Sequence, residues 1–93
     1  MKLSGTAGAT FTGRYQLGDA SHDLTGSIPL SIEIPGQGAL RQCEFRKAKV
    51  EDTLILEIYH GRRQTLRAPA EAGTVGVRAS GKGKEGWSFE ILR

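Results

Sequence analysis

The residues best equipped for chemistry are basic. Arg41, Arg46, Lys47 and Lys49 crowd one stretch, Arg62, Arg63 and Arg67 follow a turn, and Lys82 and Lys84 sit between glycines. Clustered guanidinium and ammonium groups bind phosphates or acidic surfaces. On a β-strand they equally cover a solvent face and guard an edge against pairing with other chains. Alternation places Arg63 and Arg67 on one face of their strand and Arg62 on the other. Arg41, Lys47, Arg63 and Arg67 are therefore the expected partner-binding set, and an acidic protein or surface is the expected partner. Tight nonspecific DNA binding takes about six to ten phosphate contacts, more than this divided set supplies. Tyr59 is the one aromatic on the basic, outward side, so stacking of single-stranded bases has little support.

Other candidates have simpler readings. Gly81-Lys82-Gly83-Lys84-Glu85-Gly86 has the glycine spacing of a phosphate cradle, but it lacks the Lys-Ser/Thr pair and the following helix that a nucleotide loop needs. It is expected to be a flexible hairpin loop. Ser21, His22 and Asp23 supply the residue types of a hydrolytic triad. Neighbours on a strand point to opposite faces, so the three do not converge, and turn chemistry is the expected explanation. Cys43 alternates onto the same face as Phe45, which predicts a buried, inert thiol. His60 is expected to cap a turn, and Trp87 to join the core. One Cys and two His form no metal set, and no cofactor or metal is expected.

The elements that position these residues follow a period of two. From Ala7 to Leu17 the odd positions carry Ala9, Phe11, Tyr15 and Leu17 against Thr10, Thr12, Arg14 and Gln16, and Gly18-Asp19 turns the chain. From Leu24 to Ile34 the even positions are Leu24, Gly26, Ile28, Leu30, Ile32 and Ile34. Pro29 interrupts the run and predicts a bend that lets its second half change sheets. Pro35-Gly36-Gln37-Gly38 reads as a turn. Leu40–Lys47 follows as a strand, with Cys43 and Phe45 seeking burial, and Thr53–His60 points Leu54, Leu56 and Ile58 inward. Gly61 marks a hairpin whose polar return, Arg63 to Ala68, ends at Pro69. Thr74–Ser80 and Trp87–Leu92 complete about seven strands. The expected core is Phe11, Tyr15, Leu24, Ile28, Leu30, Ile32, Phe45, Leu54, Leu56, Ile58, Val75, Val77, Trp87, Phe89 and Ile91.

No window carries a helical stripe, and thirteen glycines among 93 residues argue against helices. The fold class is therefore all-β: an immunoglobulin-like antiparallel sandwich in one domain spanning residues 1–93, with a small β-barrel as the alternative. The net charge is +3, and the excess lies in residues 41–93, with eleven bases against seven acids. No segment has the roughly 20 apolar residues of a membrane span, and no apolar stretch follows Lys2 as a signal peptide requires.

Several segments carry a resemblance. Gly5-Thr6-Ala7-Gly8-Ala9-Thr10-Phe11-Thr12-Gly13-Arg14-Tyr15, then Ser27-Ile28-Pro29-Leu30-Ser31, a Cys-bearing strand, Leu54-Ile55-Leu56-Glu57-Ile58-Tyr59-His60-Gly61 and Gly73-Thr74-Val75-Gly76-Val77 stand in order. The chain thereby resembles small secreted or lipid-anchored bacterial β-sandwich proteins, including the mycobacterial MmpS-like accessory proteins. The resemblance implies an extracytoplasmic accessory role. Members of that type also carry a membrane anchor and a second cysteine, which are not found in this sequence, and no family site carries over residue by residue. The expected function is a non-enzymatic binding or accessory module, extracytoplasmic if a signal precedes the mature chain and cytoplasmic otherwise. The alternative is a small basic β-protein that binds nucleic acid or inhibits a nucleic-acid-handling complex. An enzyme is the least supported class.

Overall fold

The alternating segments become strands, and the bends between them sort the strands into two antiparallel sheets. The computed structural model describes residues 1–33, 40–81 and 86–93. Its strands are β1 (Lys2–Gly5), β2 (Thr10–Leu17), β3 (Ala20–Ser27), β4 (Leu30–Ser31), β5 (Leu40–Lys47), β6 (Leu54–His60), β7 (Arg63–Ala70), β8 (Gly76–Gly81) and β9 (Trp87–Leu92). One sheet has the order β4-β1-β6-β7 and the other β3-β2-β5-β8-β9. The expected antiparallel sandwich is what forms, from sheets of four and five strands that do not close into a barrel. The turn expected at Pro35-Gly36-Gln37-Gly38 and the middle of the loop expected at Gly81–Gly86, residues 82–85, lie outside the described residues.

Pro29 acts as the pattern predicts. The chain leaves the five-stranded sheet after Ser27, passes through a cis Ile28-Pro29 bond, and joins the four-stranded sheet at Leu30. Three more crossings, at residues 6–9, 48–53 and 71–75, lie with this one at one end of the sandwich by register, while the passage from β4 to β5 runs through residues 32–39, most of them outside the described residues. At the end with the four crossings Phe11 faces Lys47, Arg46 faces Gly76, and Leu54 lies between Gly5 and Ala70. Backbone bonds knit this end: Gly8 N–H donates to Ile28 O (2.9 Å), Thr6 N–H to Thr53 O (3.0 Å), and Gly73 N–H to Val50 O (2.8 Å).

Between the sheets Phe11, Phe45, Leu3, Leu54, Leu56 and Val77 are fully buried, with Phe11 and Phe45 edge to face at 5.8 Å. Gly13 stands directly opposite Phe45, and a side chain on it would run into that ring. The glycine is required by packing.

Four expectations need correction. The first strand does not begin at Ala7: β1 precedes it, and Met1 and Leu3, two apart, already carried the signal. Pro69 does not end its strand, because β7 is a sheet edge, where a residue without a backbone donor is accommodated. The return strand is not simply polar, since Leu66, Ala68 and Ala70 are buried. Phe89 is 43% exposed although its partner Ala79 is buried, because β9 lies at the rim of its sheet; Val75 is only half-buried and precedes β8.

Cys43 lies in this core as expected. Burial pushes its thiol from an ordinary 9.0 up to about 12. The unfolded thiol ionises first, so between about pH 9 and 12 the folded state binds more protons and stability falls as pH rises. Two outcomes are expected. At pH 8 a thiol reagent should modify native protein far more slowly than urea-unfolded protein. In addition, Cys43→Ala should show a shallower loss of stability between pH 9 and 11 than the wild type, measured by urea denaturation at each pH.

Candidate functional site

Outward positions of the five-stranded sheet form three rows across it. Register aligns Asp23, Arg14, Glu44, Arg78 and Glu90 as one row, one residue from each strand in the order β3-β2-β5-β8-β9. Their charges alternate. Arg14 Nε donates to Asp23 (2.9 Å), Arg78 donates to both Glu44 (2.7 Å) and Glu90 (2.8 Å), and Arg46 Nε donates to Glu44 (3.0 Å). The second row is neutral: Ser21, Gln16, Gln42, Ser80 and Ser88, with Gln42 Nε2 donating to Gln16 Oε1 (2.9 Å). The third begins Thr25, Thr12, Arg46. A groove of about 510 Å³ lies over these rows, lined by Thr12, Arg14, Gln16, Gln42, Glu44, Arg46 and Arg78 among others.

Glu44 is the hub. The Arg78 guanidinium, with Arg46 beside it, holds its carboxyl below the usual carboxylate range. A carboxylate held ionised in this way is a fixed acceptor rather than a proton donor near neutral pH. The face therefore offers fixed donors and acceptors to a polar ligand.

On the opposite side of the molecule Glu57 accepts from Tyr59 Oη (2.7 Å) and from Gln64 Nε2, and the bond to the Glu57 carboxylate raises the Tyr59 pKa above its ordinary value. Lys2 Nζ lies 5.8 Å from the Tyr59 ring centroid.

The four residues expected to act together are dispersed. Lys47 is 8% exposed and turned inward. Its ammonium donates to the carbonyls of Asp52 (2.6 Å), Glu71 (2.9 Å) and Val50 (3.2 Å) and to Thr74 Oγ1 (3.3 Å), with Ala70 O at 3.5 Å. Burial lowers its pKa, and the charges of Asp52 and Glu51 oppose that shift. It serves the fold. Arg41 is exposed at the start of β5, where the register slips: Gln42 faces Gln16 but Leu40 faces Leu17. Arg63 and Arg67 do not share a face. A bulge leaves Thr65 without a partner, so Arg67 faces Glu57 while Arg63 faces His60, three positions on and therefore on the other side.

Ser21, His22 and Asp23 lie in β3 rather than in a turn. Ser21 and Asp23 belong to the outer rows, whereas His22 points the other way and stacks on Tyr15 at 5.2 Å. Trp87 is half-buried against Gly81, its partner on β8. Among the described residues no three His, Cys, Asp or Glu side chains converge on a common point, and no helix is long and apolar enough to cross a membrane.

Sequence reasoning grouped bases by their closeness along the chain and so missed Asp23, Glu44 and Glu90. One part was accessible. The two-residue turn Gly18-Asp19 fixes the hairpin register and with it the pair Arg14–Asp23. No protein-family model, curated protein or solved structure matches the chain.

The Lys47 cage generates a stability test. Lys47→Met keeps the aliphatic stem but strips the buried carbonyls of their donor, with an expected cost of about 2–4 kcal/mol in urea denaturation. Lys49→Met, two residues on and exposed, should stay within about 0.5 kcal/mol of the wild type.

Proposed function

We propose that this chain is a non-enzymatic binding module that acts outside the cytoplasm as an accessory to a protein or cell-surface partner. The observation that carries this reading is the outer face of the five-stranded sheet. It is a groove of guanidinium, carboxylate, amide and hydroxyl groups held at fixed spacing by cross-strand pairing. Exposed ion pairs of this kind contribute little to stability, about 0–1 kcal/mol each, so folding alone does not explain a row of five. Fixed alternating charge suits recognition of a partner with complementary spacing. The accessory and extracytoplasmic parts of the reading rest on the resemblance to the MmpS-like proteins.

The arrangement of charge weighs against nucleic acid. Arg14, Arg46 and Arg78 already hold carboxylates, Lys47 is buried, and Arg63 and Arg67 occupy opposite faces. Among the described residues too few free cations converge to neutralise about six to ten phosphates.

The test is site-specific photo-crosslinking in cells of the source organism. A photoreactive residue replacing Gln42, within the groove, should give a discrete protein or envelope adduct in the extracytoplasmic fraction. The same residue replacing Arg67, on the opposite side of the molecule, should give none. Equal labelling from both positions, or a nucleic-acid adduct, overturns the proposal. In solution, random duplex DNA should show no submicromolar binding at about 150 mM salt.

A further inference from the structure

Among the described residues both sheets have unpaired edges, and natural proteins blunt such edges with short strands, prolines, bulges or basic side chains. Three of the four edge strands here are blunted or flanked. β4 has two residues and follows Pro29. β7 carries Pro69, the Thr65 bulge and exposed Arg63 and Arg67. β9 lies against β7 of the other sheet. β3 is different. Its eight residues, Ala20–Ser27, pair with β2 in unbroken register and include no proline, lysine, arginine or bulge. Among the described residues nothing pairs with its outer edge.

The backbone of that edge is ready to bond. Leu17 and Ala20 flank the two-residue turn and form the first hydrogen-bonded pair of the hairpin. By alternation, the N–H and C=O groups of Ser21, Asp23, Thr25 and Ser27 point away from β2. The charge row ends at the same place. Reading inward from the edge it runs Asp23, Arg14, Glu44, Arg78, Glu90, so the next strand outward would complete the alternation with a cation opposite Asp23. The Asp23 side chain is 75% exposed, which leaves it room for a second basic partner.

We propose that β3 accepts an extended segment of a partner protein as an added antiparallel strand, with a Lys or Arg of that segment opposite Asp23. The proposal deepens the reading of the domain as a binding module and rests on it. A second copy of this chain is the poorer occupant. Two-fold pairing of β3 with itself centred on Asp23 sets two carboxylates face to face. The adjacent face-matching registers oppose Asp23 to Ser21 or Thr25, neither of which is a cation.

The probe is a fluorescein-labelled synthetic peptide, TFTGRYQL, the sequence of β2, whose Arg14 already pairs with Asp23 within the fold. Anisotropy titration against the full chain should show saturable binding. Replacing the peptide's arginine with glutamate should weaken binding about tenfold, as expected when a cross-strand attraction becomes a repulsion. Thr25→Pro removes an outward N–H without touching the β2 ladder, so it should abolish binding while leaving the circular dichroism spectrum and melting temperature near those of the wild type. If that variant fails to fold, the charge swap decides: Asp23→Lys should lose the arginine peptide and gain the glutamate peptide. Equal binding of both peptides, no binding by wild type, or no effect of the swap overturns the proposal. So does a wild-type dimer, seen by sedimentation without peptide, that Thr25→Pro dissolves. The Gln42 crosslink reads the outer face separately, so failure of the edge and failure of the binding-module reading are distinguishable.

Discussion

The ammonium of Lys47 is buried at the end of the sandwich where four of the chain's crossings lie, and its partners are oxygens of the main chain and of Thr74. A lysine at the end of an inward-facing row would ordinarily be turned out to water. Here three N–H donors are shared among acceptors from residues 50–52 and 70–74, the two segments that carry the chain between sheets on either side of β6 and β7. Burying a charge is costly unless its hydrogen bonds are made, and these are. The side chain ties both crossings to the last residue of β5. Its own N–H donates to Val75 O (2.8 Å), and Ala48 N–H donates to Thr10 O (3.0 Å), so the tie continues to the residue that precedes β8 and to the start of β2.

That tie matters because β5 is the central strand of the five, and the rows of the outer face exist only if β2, β5 and β8 hold their register. A slip of one residue would turn every outward side chain inward. Asp23, Arg14, Glu44, Arg78 and Glu90 come from five strands, and apart from the hairpin pairs their sequence separations are long. The core contributes the same constraint from the other side: Phe45 fits only because Gly13 opposite it has no side chain. Core, crossings and face are thus three views of one register, and the groove is where that register reaches the surface.

Much of this was legible in the sequence wherever a local rule applied. Period-two alternation located β2, β5, β6 and β9, the proline at position 29 announced the change of sheet, and Cys43 was correctly placed inside. Local rules failed where a tertiary contact decided the outcome. Lys47 follows Cys43 and Phe45 in parity, but its chemistry argued for water, and only the assembled crossings supply the oxygens that hold it. Arg63 and Arg67 are four apart and would share a face on a regular strand, yet the bulge at Thr65 separates them. Phe89 has the parity of a core residue but stands on the edge strand of its sheet and stays exposed. The charge row is the largest omission, because pairing of β2 with β5 and of β5 with β8 is nonlocal and no turn length encodes it.

Residue-resolved native-state hydrogen exchange on the unmodified chain tests the clamp most directly. If Lys47 holds the crossings to the core, the amides of Ala48, Gly73 and Val75, which donate to Thr10, Val50 and Leu92, exchange with the same opening free energy as those of Phe45 and Val77 within the strands. Exchange of the three crossing amides orders of magnitude faster than the strand amides would contradict it, because the crossings would then open while the sheets stayed intact.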